Sequence, residues 1–186
     1  MGEITVRPRR AADLAPLADV LFAQQPTSHY PVRNPLPFPV ERFLHADDAS
    51  AAWTAEYGGR PVGHVCWTGP AAGSPDDDAV NAACAAAHDC AVDRLAWVRT
   101  LFTGLDVRGL GVGRQLLATV VADIRAAGRR PCLEVLPVHP AALELYRASG
   151  WVAVHSLRPE WLRGAVGDDG PDVTVMVLPE DVTPDR

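Results

Sequence analysis

The sequence contains no lysine, and all 17 of its basic residues are arginines. A phosphate-binding P-loop requires a Gly-Lys-Ser or Gly-Lys-Thr step, so this class of nucleotide site is excluded. The chain also has 23 acidic residues and a formal net charge of -6. An acidic chain without a basic patch argues against nucleic acid as a partner, and it suits a cationic or neutral small substrate better.

Long hydrophobic runs are missing as well. No apolar stretch approaches the roughly 18 residues of a membrane span, which predicts a soluble protein without a membrane partner. The first residues, MGEITVRPRR, contain no apolar core of a secretory signal, so we expect a cytoplasmic location. A length of 186 residues is typical of one ordinary domain and predicts a single domain over residues 1–186.

Cysteine is sparse and does not have the spacing of a zinc site. The four cysteines are Cys66, Cys84, Cys90 and Cys132, and without a secretion signal we expect reduced thiols. Cys84, His88 and Cys90 are close in sequence, but the Cys-x-x-Cys pairing of structural zinc sites is absent from the sequence. No metal site is predicted.

Hydrophobic periodicity predicts alternating strands and helices. The predicted strands lie at 4–7, 51–57, 62–68, 94–103, 131–136, 151–157 and 172–178. The predicted helices lie at 13–23 with Asp13 as N-cap, at 81–91, at 140–149, and after a glycine turn as far as Gly128. Gly58-Gly59 between the second and third strands indicates a tight hairpin turn. The alternation after residue 94 indicates an α/β or α+β domain with one βαβ crossover.

Two segments interrupt this pattern. Five prolines lie between residues 26 and 39, and they preclude a regular helix or a central strand. This Pro-rich loop is either part of a binding site or a surface excursion. Residues 69–92 are predicted to be an insertion, in which 69–78 form a mobile connection and the short helix follows.

The segment from Leu101 to Leu117, LFTGLDVRGLGVGRQLL, is the most informative one. A hydrophobic strand leads into the glycine turn, RGLGVG at 108–113, and an amphipathic helix begins at once. Glycines let the backbone approach a ligand closely, and the first N–H groups of a helix favour an anion, most often a phosphate. The Rossmann spacing Gly-x-Gly-x-x-Gly does not fit, because these glycines alternate and lie late in the chain.

This turn and a second segment resemble the GNAT superfamily of acyl-CoA-dependent N-acyltransferases. Arg108, Gly111 and Gly113 match the pyrophosphate loop of that family: Arg or Gln, two residues, Gly, one residue, Gly or Ala. The second signature of the family is a strand, then Asn-x-x-Ala, Tyr and Gly-Phe. Its counterparts here are LEV at 133–135, HPAA at 139–142, Tyr146 and Gly150-Trp151. The resemblance is strongest over residues 94–157.

The resemblance implies an α+β fold with a central mixed β-sheet flanked by helices, forming one N-acetyltransferase domain that uses acetyl-CoA and no metal. Backbone N–H groups of the turn would hold the pyrophosphate. Backbone groups of Leu101 and Thr103 would pair with the pantetheine arm, and the N–H near Phe102 could polarise the thioester carbonyl. The implied cofactor-binding residues are Leu101, Phe102, Thr103, Arg108, Gly109, Leu110, Gly111, Val112, Gly113 and Arg114.

The resemblance also assigns chemistry to the second segment. Tyr146 stands where the family places the acid that protonates the departing thiolate; the alternative is a helix residue that packs under Gly150-Trp151. His139 replaces the usual Asn, either as a neutral substitution or as a group that titrates beside the thioester. Trp97 occupies the position of a fourth-strand glutamate that acts as base in many relatives.

The resemblance therefore does not identify the general base. Glu134 on the fifth strand, Glu56 and His64 on the hairpin, and Asp93 before the fourth strand are candidates, since a base must reach the proton that it removes. The amine can also lose its proton to water.

The Pro-rich loop at 26–39 and a final hairpin region around Trp161 are expected to wall an acceptor pocket. Trp53, Trp67 and Trp97 either line that pocket or pack in the core, and core packing is the more common role of a tryptophan.

The resemblance thus implies an enzyme that transfers an acyl group, acetyl above all, from acetyl-CoA to a primary amine of a small molecule or a peptide. The alternative is a non-catalytic acyl-CoA-binding protein of the same fold, which would keep the glycine turn and lose the acid and the base. The acceptor amine, the acyl chain and the oligomeric state, a homodimer included, stay open.

Overall fold

The computed structural model describes residues 2–45, 49–72, 76–166 and 170–180. The strands are β1 (Ile4–Pro8), β2 (Ala49–Tyr57), β3 (Arg60–Thr68), β4 (Leu95–Thr103), β5 (Arg130–Val135), β6 (Val152–Leu157) and β7 (Val173–Val177). The helices are α1 (Leu14–Ser28), α2 (Val40–His45), α3 (Asp77–His88), α4 (Val112–Ala126), α5 (Pro140–Ala148) and α6 (Glu160–Val166). The strands form a mixed sheet in the order β1-β2-β3-β4-β5-β7-β6, flanked by helices, which confirms the predicted α+β fold.

The chain divides into two compact units. The first unit comprises residues 1–69 and 98–127, and the second comprises residues 70–97 and 128–186. Strand β4 runs from the second unit into the first. The glycine turn therefore belongs to the first unit.

In the first unit, β1, β2 and β3 pair antiparallel. The hairpin between β2 and β3 turns at Gly58 and Gly59, whose φ angles of 58° and 79° are left-handed and confirm the predicted tight turn. A core cluster joins α1 and α2 to β4. Its buried members are Leu17, Leu21, Leu44 and Phe102.

A largely buried ion cluster joins β1, β2 and the turn before α1. Arg7 donates to both carboxylate oxygens of Asp13, at 2.7 and 2.8 Å, and to Glu56 Oε1 at 2.5 Å. Asp13 Oδ2 also accepts from the Thr54 hydroxyl at 3.0 Å and from the Arg10 N–H at 2.7 Å. Asp13 was predicted to cap α1. It stands at that position without a side-chain capping bond, because these other donors occupy its oxygens.

The Pro-rich segment differs from its prediction at both ends. Helix α1 continues through Pro26 to Ser28, so the irregular part of the 26–39 loop begins only at His29. Pro26 has no N–H to donate to the carbonyl of Phe22, and the helix ends two residues later, at Ser28. Helix α2 then begins at Val40, where no helix was predicted.

Two further predictions need correction. Helix α3 begins at Asp77, so the predicted connection over 69–78 is shorter, and its residues 73–75 lie outside the described residues. The region around Trp161 is helix α6 and not a hairpin. Both are short polar or mixed segments, in which local sequence gives no clear period.

In the second unit, β7 pairs antiparallel with both β5 and β6. Helix α3 packs on this part of the sheet through buried residues: Val80, Cys84, Ala85, Leu95, Trp97, Cys132, Val175 and Val177. None of the four cysteines, all of which lie in the described residues, forms a disulfide in this structure. Within the described ranges, no helix is both long and apolar enough to cross a membrane.

Candidate functional site

The glycine turn connects β4 to α4 in the first unit. Val107 and Val112 anchor its two ends, since each is only 1% exposed, while residues 108–111 between them are exposed. Gly109 and Gly111 have φ angles of 79° and 82°, the left-handed region that favours glycine. No atom of the described chain lies within 4 Å of the place where a Cβ would stand at either glycine, so the surface of the turn is open.

The start of α4 presents backbone donors that the helix does not use. The Gln115 N–H bonds to the Gly111 carbonyl at 3.0 Å, and among the described residues no side chain caps this helix. The N–H groups of Val112, Gly113 and Arg114 precede that bond and have no acceptor inside the helix. Together with the positive end of the helix dipole, these donors suit a phosphate or a diphosphate.

The end of β4 leads directly into the turn. Leu101 and Thr103 are half-buried, whereas Phe102 is 5% exposed and packs in the cluster of α1 and α2. Gly63 on β3 faces this segment closely: a Cβ there would lie 3.0 Å from the Phe102 carbonyl oxygen and 3.2 Å from Thr103 Cγ2. Phe102 and Thr103 therefore pack closely against β3.

A buried polar network lies just before these residues. Thr100 has a φ of 50°, a left-handed value that is unusual for a β-branched residue. His64 Nδ1 on β3 lies 3.1 Å from the Thr100 carbonyl oxygen and 3.2 Å from its Oγ1. Cys66 Sγ lies 3.1 Å from the same Oγ1. Thr100 is thus held by two side chains of the neighbouring strand.

Arg9 contacts the opposite side of the His64 ring. Arg9 Nη1 lies 3.2 Å from His64 Nε2, and the guanidinium also donates to the carbonyls of Leu44 and, at 3.3 Å, His45. Burial lowers the pKa of His64 to about 4, so the ring is neutral near pH 7. Burial also lowers the pKa of Arg9.

Tyr146 lies in α5 of the second unit and is 7% exposed. Its ring packs against Trp151, with ring centroids 6.0 Å apart and planes tilted by 59°. This ring contact with Trp151 is the one that the alternative role of Tyr146, packing under Gly150-Trp151, would use. Burial raises the pKa of Tyr146, so its phenol keeps the proton at neutral pH.

His139 and Glu134 also belong to the second unit. The His139 carbonyl accepts from the N–H groups of Ala142 and Leu143, both at 3.1 Å, while its side chain makes no capping bond to α5. Histidine thus begins the helix through its backbone alone. Glu134 lies on β5 opposite Val175 of β7, and both candidate side chains are half-buried.

Trp97 is the residue that the resemblance aligns with the family's fourth-strand glutamate. Trp97 is fully buried, and its indole N–H donates to Asn81 Oδ1 at 3.0 Å. Of the other base candidates, Glu56 accepts from Arg7 in the ion cluster, and Asp93 is exposed. Neither observation gives these carboxylates a role beyond the local structure.

The three tryptophans that were considered as pocket lining are buried. Trp53 is 9% exposed and Trp67 is 5% exposed, and the Trp67 indole donates to Asp123 Oδ2 at 2.7 Å.

Cys84 packs in the core and His88 Nε2 lies 3.1 Å from the Pro131 carbonyl. In the parts of the chain that the structure describes, no group of three or more His, Cys, Asp or Glu could hold a metal ion.

The predicted cofactor-binding residues 101–103 and 108–114 are joined in one strand, turn and helix of the first unit, whereas Glu134, His139 and Tyr146 belong to the second. Neither Arg9 nor Thr100 belongs to the site residues predicted from the sequence. The only sequence signal for their network is His64, a histidine inside an apolar strand, and the sequence does not show which residues it contacts.

The mixed sheet and the glycine turn at the start of α4 define an acetyltransferase architecture. The acetyltransferase (GNAT) family model matches residues 18–151, and the chain belongs to this family. No curated protein matches the sequence significantly.

Solved structures share the fold at low sequence identity. The structure of yncA from Salmonella typhimurium with its cofactor acetyl-CoA is 16% identical, with a TM-score of 0.66 over 98% of each chain. The ribosomal-protein-S18-alanine N-acetyltransferase from Escherichia coli is 15% identical, with a TM-score of 0.63 over 99% of each chain. Arabidopsis thaliana NAA60 in complex with a bisubstrate analogue is 20% identical, with a TM-score of 0.65 over 94% of this chain and 97% of that chain.

Proposed function

We propose that the protein is a single-domain N-acetyltransferase that transfers an acetyl group from acetyl-CoA to a primary amine of a small molecule or a peptide. The observation that carries this proposal is the open glycine turn, where exposed residues 108–111 lead into a helix with unused N–H groups. Membership of the acetyltransferase (GNAT) family supports the same conclusion.

The chain binds the co-substrate mainly through its backbone. The N–H groups at the start of α4, those of Val112, Gly113 and Arg114, hold the diphosphate, a use of a helix start that needs no lysine. The N–H groups of Arg108 and Leu110 donate instead to the carbonyls of Leu105 and Val107. Backbone groups of Leu101 and Thr103 pair with the amides of the pantetheine arm, as an added strand would. The N–H near Phe102 polarises the thioester carbonyl, because a donor aimed at the developing oxyanion stabilises the transition state.

The reaction forms a carbon–nitrogen bond and breaks a carbon–sulfur bond. The neutral amine attacks the thioester carbon and loses one proton, to Glu134, to His139 or to water. Tyr146 donates a proton to the departing sulfur, which its protonated phenol can do at neutral pH. The half-buried positions of Glu134 and His139 are compatible with either as base.

The acceptor class is open between metabolites and peptides. The similar Escherichia coli structure is named a ribosomal-protein-S18-alanine N-acetyltransferase. That name supports a peptide amine as one acceptor. The net charge of -6 supports a cationic amine of either kind.

The test compares binding with turnover. Isothermal titration with acetyl-CoA measures the affinity, and release of the CoA thiol measures acetyl transfer to polyamines, amino acids, aminoglycosides and peptides with a free N-terminus. We expect binding, and thiol release that depends on one class of amine. Failure of acetyl-CoA to bind would overturn the proposal.

A specific observation favours a second candidate, a non-catalytic acyl-CoA-binding protein. Trp97 places a buried, hydrogen-bonded indole where many relatives carry a glutamate base. Such a protein would bind acetyl-CoA as tightly as an enzyme does. It would release no thiol above the rate of hydrolysis with any amine of the panel.

Replacing Gly111 by alanine tests the turn itself. A left-handed φ of 82° costs an alanine about 1–2 kcal/mol, so the turn relaxes and its N–H groups move away from the diphosphate. We expect the Kd for CoA to rise about tenfold, as measured by titration calorimetry.

Gly59→Ala is the matched control for that strain. Gly59 has a φ of 79° and, like Gly111, nothing of the described chain within 4 Å of its Cβ position, but it lies in the β2–β3 hairpin. It should lower the melting temperature about as much as Gly111→Ala and leave the Kd for CoA unchanged. Equal Kd values in both variants would place the diphosphate elsewhere.

A further inference from the structure

Thr100 keeps a backbone conformation that its own side chain opposes. A left-handed φ is unfavourable for a residue other than glycine, and it persists only where the surroundings hold it. Thr100 directly precedes Leu101–Thr103, whose backbone groups pair with pantetheine in the proposed function. One left-handed residue in a strand redirects the peptide groups that follow it. The conformation of Thr100 therefore orients the backbone N–H and C=O groups of Leu101–Thr103.

The contacts of His64 fix its tautomer. A guanidinium can only donate, so His64 Nε2, 3.2 Å from Arg9 Nη1, must be the acceptor. Nδ1 then carries the ring proton and donates it to the Thr100 carbonyl at 3.1 Å. The ring therefore joins a donor on one side to an acceptor on the other.

Arg9 is itself held on several sides. Its backbone N–H donates to the Ala52 carbonyl at 2.9 Å, and its guanidinium donates to the carbonyls of Leu44 and His45 at the end of α2. The imidazole is 0% exposed, so it has no room to rotate away from Thr100. These contacts make His64 a rigid link between Arg9 and the strained residue.

We propose that His64 is a positioning residue for the co-substrate: it holds Thr100 in the left-handed conformation and thereby orients the backbone of Leu101–Thr103. The proposal rests on the proposed function, since it concerns the acyl-CoA-binding backbone. It also gives His64 a role other than general base, because Nε2 already accepts from Arg9 and Nδ1 bears a proton.

Two substitutions separate the two ends of the ring. His64→Asn keeps an N–H donor close to the position of Nδ1 and loses the contact with Arg9. His64→Gln reaches toward Arg9, at the position of Nε2, and loses the donor to Thr100. The Kd for acetyl-CoA, and KM and kcat for thiol release with the best amine of the panel, are measured for both variants.

We expect His64→Asn to stay within about threefold of the wild-type Kd and His64→Gln to raise Kd and KM about tenfold, since one hydrogen bond is lost at the strained residue. The kcat at saturating acetyl-CoA stays within about threefold of wild type in both variants. Equal Kd values in the two variants would overturn the proposal. A loss of kcat at unchanged KM in both would also overturn it and indicate a general base.

Failure of the proposed function would look different, because wild-type protein would then bind no acetyl-CoA before any variant is made. A second variant covers the case in which His64 substitutions do not fold. Thr100→Val keeps a β-branched side chain that disfavours a φ of 50° and lacks the Oγ1 contacts with His64 and Cys66, so the left-handed conformation is held less firmly. We expect its Kd for acetyl-CoA to rise about fivefold, and an unchanged Kd would overturn the proposal.

Discussion

Tyr146→Phe is expected to lower kcat about 100-fold and to leave the Kd for acetyl-CoA within about twofold of wild type. The phenol acts only on the departing sulfur, so its loss affects the transition state and not the bound ground state. We place the effect at the low end for general acids because burial raises the pKa of Tyr146 and makes it a weak acid. Stopped-flow or steady-state thiol release measures kcat.

The chain offers a matched control in Tyr57→Phe. Tyr57 is half-buried at the end of β2, and Tyr57→Phe removes the same phenolic hydroxyl as Tyr146→Phe. We expect unchanged kcat and Kd in this variant. Unchanged kcat in Tyr146→Phe would remove the acid from the mechanism. If the wild type also released no thiol with any amine, the non-catalytic acyl-CoA-binding protein would be the better description.

The pKa of Tyr146 also predicts the alkaline side of the pH profile. Because burial raises that pKa above the ordinary value of about 10, the phenol stays protonated up to at least that pH. Between pH 7 and about pH 10, we expect the kcat of the wild type and the kcat of Tyr146→Phe to change with pH in the same way. A fall of kcat through about pH 8 that disappears in the variant would contradict this assignment.

The parts of the fold that were predictable carry their information locally. Helix α4 was predicted from apolar residues on one face and from Gly128, which has the left-handed φ of 69° expected after a helix end. The β2–β3 hairpin was predicted from Gly58-Gly59, because two adjacent glycines supply two positive φ angles. In both cases a few neighbouring residues decide the conformation.

The parts that were missed depend on distant contacts. Helix α2 has six residues after a run of prolines, and its stability comes from burying Leu44 against α1, which no local period reveals. Asp13 has the right type and place for a helix cap, yet Arg7 and Thr54 take its oxygens. A partner far away in sequence replaced the local role in each case.

The candidate site shows the same division. The glycine turn was predictable because its backbone is left-handed at Gly109 and Gly111, a conformation that glycine adopts without strain. The left-handed conformation of Thr100 could not be predicted from the sequence, since a β-branched residue in a strand is expected to be extended. Its conformation is imposed by His64 and Cys66, 36 and 34 residues away in sequence.

Asp13→Ala is expected to destabilise the protein by about 3–5 kcal/mol, because it breaks a buried ion cluster by removing one partner. The side chains of Asp13 and Arg7 are only 6% and 17% exposed. The substitution leaves the Thr54 hydroxyl and the Arg10 N–H without the acceptor that they use. Urea denaturation measures this loss, which is large against a typical stability of about 5–15 kcal/mol.

Asp106→Ala is the control for an exposed ion pair. Asp106 accepts from Arg60 at 3.0 Å, but the two side chains are 57% and 70% exposed, so we expect a loss of no more than about 1 kcal/mol. Similar losses in the two variants would show that burial of the Arg7–Asp13 pair contributes little.

The ion cluster also predicts how stability depends on acid. The hydrogen bonds from Arg7 hold the pKa of Asp13 well below its usual range, and those from Arg10 and Thr54 act in the same direction. A carboxyl whose pKa is lower in the folded state contributes its full stability above the unfolded value of about 3.9 and loses that contribution as the pH falls further. We therefore expect the urea midpoint of the wild type to fall more steeply than that of Asp13→Ala between about pH 5 and pH 3. Parallel curves would mean that the Asp13 carboxyl titrates alike in the folded and unfolded chains, and that its contacts with Arg7 do not stabilise the fold.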